Sequence, residues 1–344
     1  MARCARLALT TLALVLAACG GTNAGTLLPA GSDVDASPAP SNGGSSGGAG
    51  EDASAPLPPS HPPPVGSDAG VTPPAPGDAS APSSDGGSGT SPAPTGACPT
   101  LASGDVTFAP AGIPARKVAL SMTDAAKTLH GPLVFYWHGT GSSPAEAAYA
   151  LGSTLAAIEA AGGIVAAPYH DPNAGQFPWY LVGGTKTDDL LVADEVLACV
   201  AASLGIDRAH VHSIGFSAGG LQTTAMSYLR SSYLASVVTF SGGLPQGYTP
   251  TSQDPANKFA ALIFDGGSSD NAFGFDFQAA SQLYATTLKG AGQFSAICNH
   301  GGGHSIPTDA APSIWAFFQA NGFGVYPSPY VKGLPSGFPS YCTL

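Results

Sequence analysis

Charge is scarce in this chain. Of its 344 residues only 10% are Asp, Glu, Lys or Arg, and 22 acids outnumber 11 bases for a net charge of −11. No basic stripe is present, which argues against a nucleic-acid-binding surface. Long apolar runs are lacking too. Past the N-terminus none approaches the ~20 residues that a bilayer-spanning helix needs. Residues 20–97 contain no Lys, no Arg and no aromatic residue. Such a stretch cannot bury enough apolar surface to offset the entropy of ordering it.

What fills that stretch is 15 Pro and 16 Gly in 78 positions, with Ser, Ala, Thr and seven acids. It reads as a disordered tether, extended where it is Pro-rich and flexible where it is Gly/Ser-rich. Before it, Arg3 and Arg6 precede a short apolar stretch, Leu7 to Ala18, of the length of an export signal. The stretch ends Leu16-Ala17-Ala18-Cys19, which resembles a bacterial lipobox. The resemblance implies a signal over 1–18, lipidation of Cys19 and a membrane contact made by acyl chains. Gly20 in place of Asp implies the outer membrane as the address, facing periplasm or exterior. The sequence thus divides at 1–18, 19–97 and a domain over 98–344.

That domain holds every Trp, Tyr and Phe of the chain. β-rich runs fall at 106–108, 117–121, 133–137, 164–167, 211–214, 237–240, 261–265 and 294–298. Helical segments are expected at about 144–161, 188–204, 218–230, 276–289 and 312–320; Leu190, Leu191, Asp194, Leu197 and Ala201 repeat at three and four residues. Strands alternating with helices predict a mostly parallel eight-stranded sheet with helices on both faces, an α/β domain. The first two strands should pair as an antiparallel hairpin at one edge. The run from Phe323 to Leu344 has no helical period and should wrap the surface.

Within this pattern His210 to Ile214 reads as a strand running into Gly215-Phe216-Ser217-Ala218-Gly219-Gly220 and then a helix. This is G-x-S-x-G in strand–turn–helix context, where the tight turn needs glycine on both sides of an exposed nucleophile. The pentapeptide occurs twice more, at 43–47 and 44–48, without a strand or a helix around it, so Ser217 alone is the candidate. The turn would aim the Ala218 N–H at a developing oxyanion. A second buried run, Leu133 to Trp137, ends in His138-Gly139-Thr140, the place for the second oxyanion donor, the Thr140 N–H. His138 is expected to orient the loop and not to act as a base.

Residues 115–320 or so resemble the α/β-hydrolase superfamily. They are most similar to the secreted esterases that include polyhydroxybutyrate depolymerases and feruloyl or acetylxylan esterases. The resemblance rests on His138-Gly139, on Asp188-Asp189-Leu190, and on Ile206 to Val211 leading into Gly215 to Gly220. It implies an α/β-hydrolase fold and a triad in the order Ser, acid, His. The acid then matches Asp270, at the end of the loop after Ala261 to Asp265, with Asp265 as the alternative and Asp276 as a helix N-terminal residue. The base matches His304 in the glycine loop after Phe294 to Cys298, with His300 as its rival. His300 and His304 have i, i+4 spacing, but three intervening glycines disfavour the helix a metal pair would need. No metal or organic cofactor is expected.

Cys98, Cys199, Cys298 and Cys342 are an even set in an oxidising compartment and should form two disulfides. Cys199 lies well down its helix and Cys298 near the sheet top, too far apart to bond. The preferred pairing is Cys298–Cys342 with Cys98–Cys199. Trp179 and Tyr180, in a loop after the fourth strand, could stack on an aromatic acyl group or a sugar, or else plug the loop. The whole implies an exported, lipid-anchored, monomeric serine esterase. Its substrate would be a feruloyl or acetyl ester of plant polysaccharide or a short-chain polyester. A peptidase or acyltransferase with the same triad, and a non-catalytic binding lipoprotein, are the competing readings.

Overall fold

The computed structural model describes residues 89–344 apart from Thr185 and Thr249. The signal, Cys19 and nearly all of the tether lie outside the described residues. In chain order the elements are β1 Gly104–Phe108, β2 Arg116–Ser121, α1 Ala126–Leu129, β3 Leu133–Trp137, α2 Glu146–Leu151, α3 Ser153–Ala160, β4 Ile164–Pro168, α4 Tyr180–Gly183 and α5 Asp188–Ser203. Then follow β5 Val211–Phe216, α6 Ala218–Leu229, β6 Ser236–Phe240, β7 Ala260–Asp265, β8 Asn271–Ala272, β9 Phe275–Asp276, α7 Phe277–Gly290, β10 Ser295–Asn299, α8 Ala311–Ala320 and β11 Cys342–Thr343.

Among the described residues one sheet has nine strands in the order β1-β2-β4-β3-β5-β6-β7-β10-β11. Pairing is parallel from β4 through β10 and antiparallel at β1–β2, β2–β4 and β10–β11. The expected edge hairpin is β1–β2. The ninth strand, β11, was not expected: two residues carry no period, and Cys342 is brought opposite Cys298 by tertiary pairing and their disulfide. The short β8–β9 hairpin was equally invisible.

The central strands are apolar throughout because both faces are covered. All five residues of β3 are fully buried. Leu133, Phe135 and Trp137 point to one core with residues of α5, α6 and α7, while Val134 and Tyr136 point to the other with residues of α2, α3 and α8. Each such side chain contributes roughly 1.5–3 kcal/mol by leaving water. The single helix expected over 144–161 is two, α2 and α3. The break is Gly152, at φ 49° and ψ −128°, where only a residue without Cβ sits unstrained.

The folded domain also begins before Cys98. Thr90 N–H donates to the Ser232 carbonyl at 2.9 Å. The Glu195 carboxylate accepts from Thr95 N–H at 2.8 Å, Thr95 Oγ1 at 2.6 Å and Gly96 N–H at 2.9 Å. A single buried acid on α5 thus recruits a segment that composition assigns to the tether. No helix among the described residues is long and apolar enough to cross a membrane.

Candidate active site

All the chemistry gathers at the carboxyl edge of the parallel strands. β5 ends in Ser217, whose backbone stands at φ 56° and ψ −119°, a region a non-glycine residue adopts only under constraint. The constraint is close packing. A Cβ on Gly219 would overlap the Trp137 carbonyl, and one on Gly215 would overlap the Gly219 carbonyl. Ser217 N–H donates to the Phe240 carbonyl at 2.9 Å, and Leu221 N–H returns to the Ser217 carbonyl at 2.9 Å. The hydroxyl is left projecting where strand becomes helix.

His304 meets it there. Its Nε2 lies 2.8 Å from Ser217 Oγ, and its Nδ1 lies 2.7 Å from Asp270 Oδ1. A carboxylate at Nδ1 fixes the proton on that nitrogen and leaves Nε2 to accept the serine hydroxyl. The Phe216 and Phe277 rings flank the imidazole at 4.9 and 4.5 Å. Asp270 is fully buried, and its Oδ2 accepts from Ser241 Oγ at 2.9 Å and Gly266 N–H at 2.8 Å. The acid and base loops are joined by Gly303 N–H to the Gly266 carbonyl at 2.9 Å and His300 N–H to the Asp265 carbonyl at 3.0 Å.

The alternatives take other work. Asp265 accepts from Gly267 N–H at 2.9 Å inside the loop, and burial raises its pKa. His300 accepts from Gly302 N–H at 3.2 Å. It is joined to His304 by a loop in which Gly301 and Gly303 have positive φ, not by a helix. Asp276 caps α7 through Ala279 N–H at 2.9 Å.

The His138–Gly139 turn packs directly on the Ser217 turn, with Gly139 against Phe216. His138 is fully buried, and burial brings its pKa down to about 4, so it is neutral at pH 7. Its Nδ1–H donates to the Gly139 carbonyl at 2.8 Å. Among the described residues neither the Thr140 nor the Ala218 N–H has a hydrogen-bond acceptor. Two unpaired donors, one on the residue after Ser217 and one in the turn packed against Phe216, are available to negative charge that develops near them.

Trp179 and Tyr180 correct the stacking expectation. Trp179 is wholly buried, edge-on to Trp137 at 4.9 Å, and its Nε1–H donates to the His138 carbonyl at 2.9 Å. Tyr180 is buried as well, with its N–H on Asp189 Oδ2 at 2.7 Å and its ring under the Lys186 ammonium at 4.8 Å. Asp189 is in turn bonded to Arg116 at 2.9 Å. Trp179 thus anchors its loop to the His138–Gly139 turn, and Tyr180 packs beside Asp189 and Lys186 as a buried part of the same loop. Sequence reasoning missed Ser241, which donates to the Asp270 carboxylate, and Glu146, whose Oε1 accepts from Gly139 N–H at 3.0 Å. Neither carries a motif, since Glu146 reads as an ordinary acid in a first helical turn.

The disulfides are Cys98–Cys199 and Cys298–Cys342, the second in the strand that feeds the His304 loop. No protein-family model and no curated protein matches the chain. Solved structures do. The crystal structure of native pOPH matches with a TM-score of 0.58 at 16% identity, covering 72% of this chain and 96% of that one. Native sOPH gives 0.55 at 16%, over 72% and 96%. A thermostable esterase gives 0.50 at 14%, over 63% and 62%. At these identities the likeness is one of fold, and with the strand order above it establishes that the chain has the α/β-hydrolase fold.

Proposed function

We propose that this protein is a serine carboxylic-ester hydrolase. The observation that carries the reading is the continuous hydrogen-bonded line Ser217–His304–Asp270, 2.8 and 2.7 Å, ending on a buried carboxylate. In the proposed reaction His304 Nε2 takes the hydroxyl proton as Ser217 Oγ attacks the ester carbonyl. The Thr140 and Ala218 N–H groups receive the oxyanion. The imidazolium then protonates the leaving alkoxide, and water activated by the same nitrogen releases the acyl group. Asp270 holds the tautomer and stabilises the imidazolium.

The name of one neighbour, the thermostable esterase, agrees with this chemistry at the level of fold. In our reading the protein is exported, lipidated at Cys19 and held to a membrane through its Pro/Gly/Ser-rich tether. An anchored enzyme meets its substrate outside the cytoplasm, which favours esters on a polymer: feruloyl or acetyl groups on polysaccharide, or a short-chain polyester.

The test is labelling with a fluorophosphonate, the modified residue being located by mass spectrometry. Label on Ser217, together with turnover of p-nitrophenyl esters over peptide anilides, is the expected result. The Ser217→Ala protein should stay folded and lose at least about 10⁴-fold in kcat. Ser217 unlabelled in a folded, wild-type protein would leave the reading without its nucleophile.

A further inference from the structure

The Thr140 N–H does not stand free of its neighbours. It shares a planar trans peptide with the Gly139 carbonyl, so whatever holds that carbonyl also aims the N–H. The carbonyl accepts from His138 Nδ1–H at 2.8 Å and from Ser142 N–H at 3.1 Å. On the other side of the same residue, Gly139 N–H donates to Glu146 Oε1 at 3.0 Å. That oxygen also accepts the Tyr136 hydroxyl at 2.9 Å.

Gly139 needs such holding. A Cβ there would come within 3.0 Å of the Phe216 ring, a tight contact that favours glycine, whose φ and ψ are the least restricted of any residue. Its torsions must be set from outside. Tyr136 is wholly buried in β3, and Glu146 opens α2. The carboxylate therefore ties the glycine to a strand and a helix at once.

We propose that Glu146 is the positioning residue of the oxyanion donor: by holding the Gly139 N–H on the preceding peptide it limits the Gly139 torsions and so, together with the bonds to the Gly139 carbonyl, sets the direction of the Thr140 N–H. The inference rests on the esterase reading above. What matters is the place of the acceptor oxygen and not its charge. A negative charge one peptide away from the oxyanion repels it, whereas an oxygen that accepts from Gly139 N–H and Tyr136 O–H holds the turn. Gln presents an amide oxygen at the same reach. Asp keeps the charge but falls one methylene short.

The experiment compares wild type with Glu146→Ala, Glu146→Asp and Glu146→Gln in kcat and KM on a p-nitrophenyl short-chain ester. It also measures inhibition by a trifluoromethyl ketone, whose adduct places an oxyanion in the same pocket. Glu146→Ala and Glu146→Asp should each lose about 10- to 100-fold in kcat with KM within about twofold, a fraction of the loss seen when a donor is removed outright. Ketone affinity should fall by a similar factor, and Glu146→Gln should recover most of the loss. A folded Glu146→Ala with wild-type kcat would overturn the proposal. So would a Gln variant as impaired as Ala, or a loss confined to KM. Should the Ala variant fail to fold, the Asp and Gln variants decide alone. A wild type that neither labels at Ser217 nor turns over ester removes the esterase reading itself. An active wild type with an indifferent Glu146 removes only this inference.

Discussion

The domain contains two histidine–aspartate pairs with the same separation, at opposite ends of β5. At the carboxyl end His304 and Asp270 are 2.7 Å apart, and at the amino end so are His210 and Asp207. The first acid is fully buried and receives two further hydrogen bonds, while the second is 45% exposed and instead closes a turn through Ala209 N–H. The first imidazole faces a serine hydroxyl across its other nitrogen. The second faces Gly322, which has no side chain to offer. Distance alone therefore does not single out the proposed catalytic pair. Burial of the acid, and what occupies the far nitrogen, separate the two pairs.

Matched substitutions put that contrast at risk. Asp270→Asn should lower kcat by about 10⁴-fold, because the amide favours the wrong imidazole tautomer. Asp207→Asn should leave kcat within about twofold, and equal losses in both would erase the distinction. The two disulfides extend the test. By loop closure, removing Cys98–Cys199 or Cys298–Cys342 as Ser pairs should cost roughly 4–5 kcal/mol each, read as a lowered Tm. At a temperature where both variants stay folded, only the Cys298–Cys342 variant should also lose kcat, since only that bridge adjoins the His304 loop.

Acid should act on both ends of the sheet. His138 is held to about 4 by burial, below the ~6.5 of an unfolded chain, so the unfolded state takes up its proton first. Stability from this group is complete above about pH 6.5 and falls by about 3 kcal/mol on going to pH 4. His212, fully buried at the amino end of β5, is likewise pushed well below its ordinary value by desolvation and adds to the slope. Tm measured from pH 7 to 4 should fall, and His212→Phe should flatten the curve without changing kcat. Of the substitutions around Asp270, Ser241→Ala is expected to have the smaller effect. It removes one donor to the Asp270 carboxylate and should lower kcat about tenfold with KM unchanged, one charged hydrogen bond's worth.

The fold was legible where a local signal was strong. Apolar runs such as Leu133 to Trp137 and the three-and-four repeat of α5 mark their elements wherever they lie. The strand–turn–helix context picked Ser217 out of three matching pentapeptides. Local signals failed where a contact is made by chance neighbours in sequence but chosen neighbours in space. β11 is two residues, Thr95 and Gly96 are held by Glu195 a hundred residues away, and Gly152 breaks a helix that looks continuous. Trp179 carried the composition of a ligand platform, yet a full burial that no sequence window reports makes it a loop anchor.

By itself the sequence determined the class of the domain, the alternation of its layers and the candidate residues, because period, glycine placement and residue chemistry act within a few positions of the chain. Only the tertiary structure decided which candidates meet. Asp270 over Asp265 and His304 over His300 turn on a few ångströms between loops that follow different strands. Glu146 and Ser241 enter the site through hydrogen bonds to backbone and carboxylate that have no sequence period at all. Local patterns fix what each segment becomes, while long-range packing fixes which atoms come within hydrogen-bonding reach.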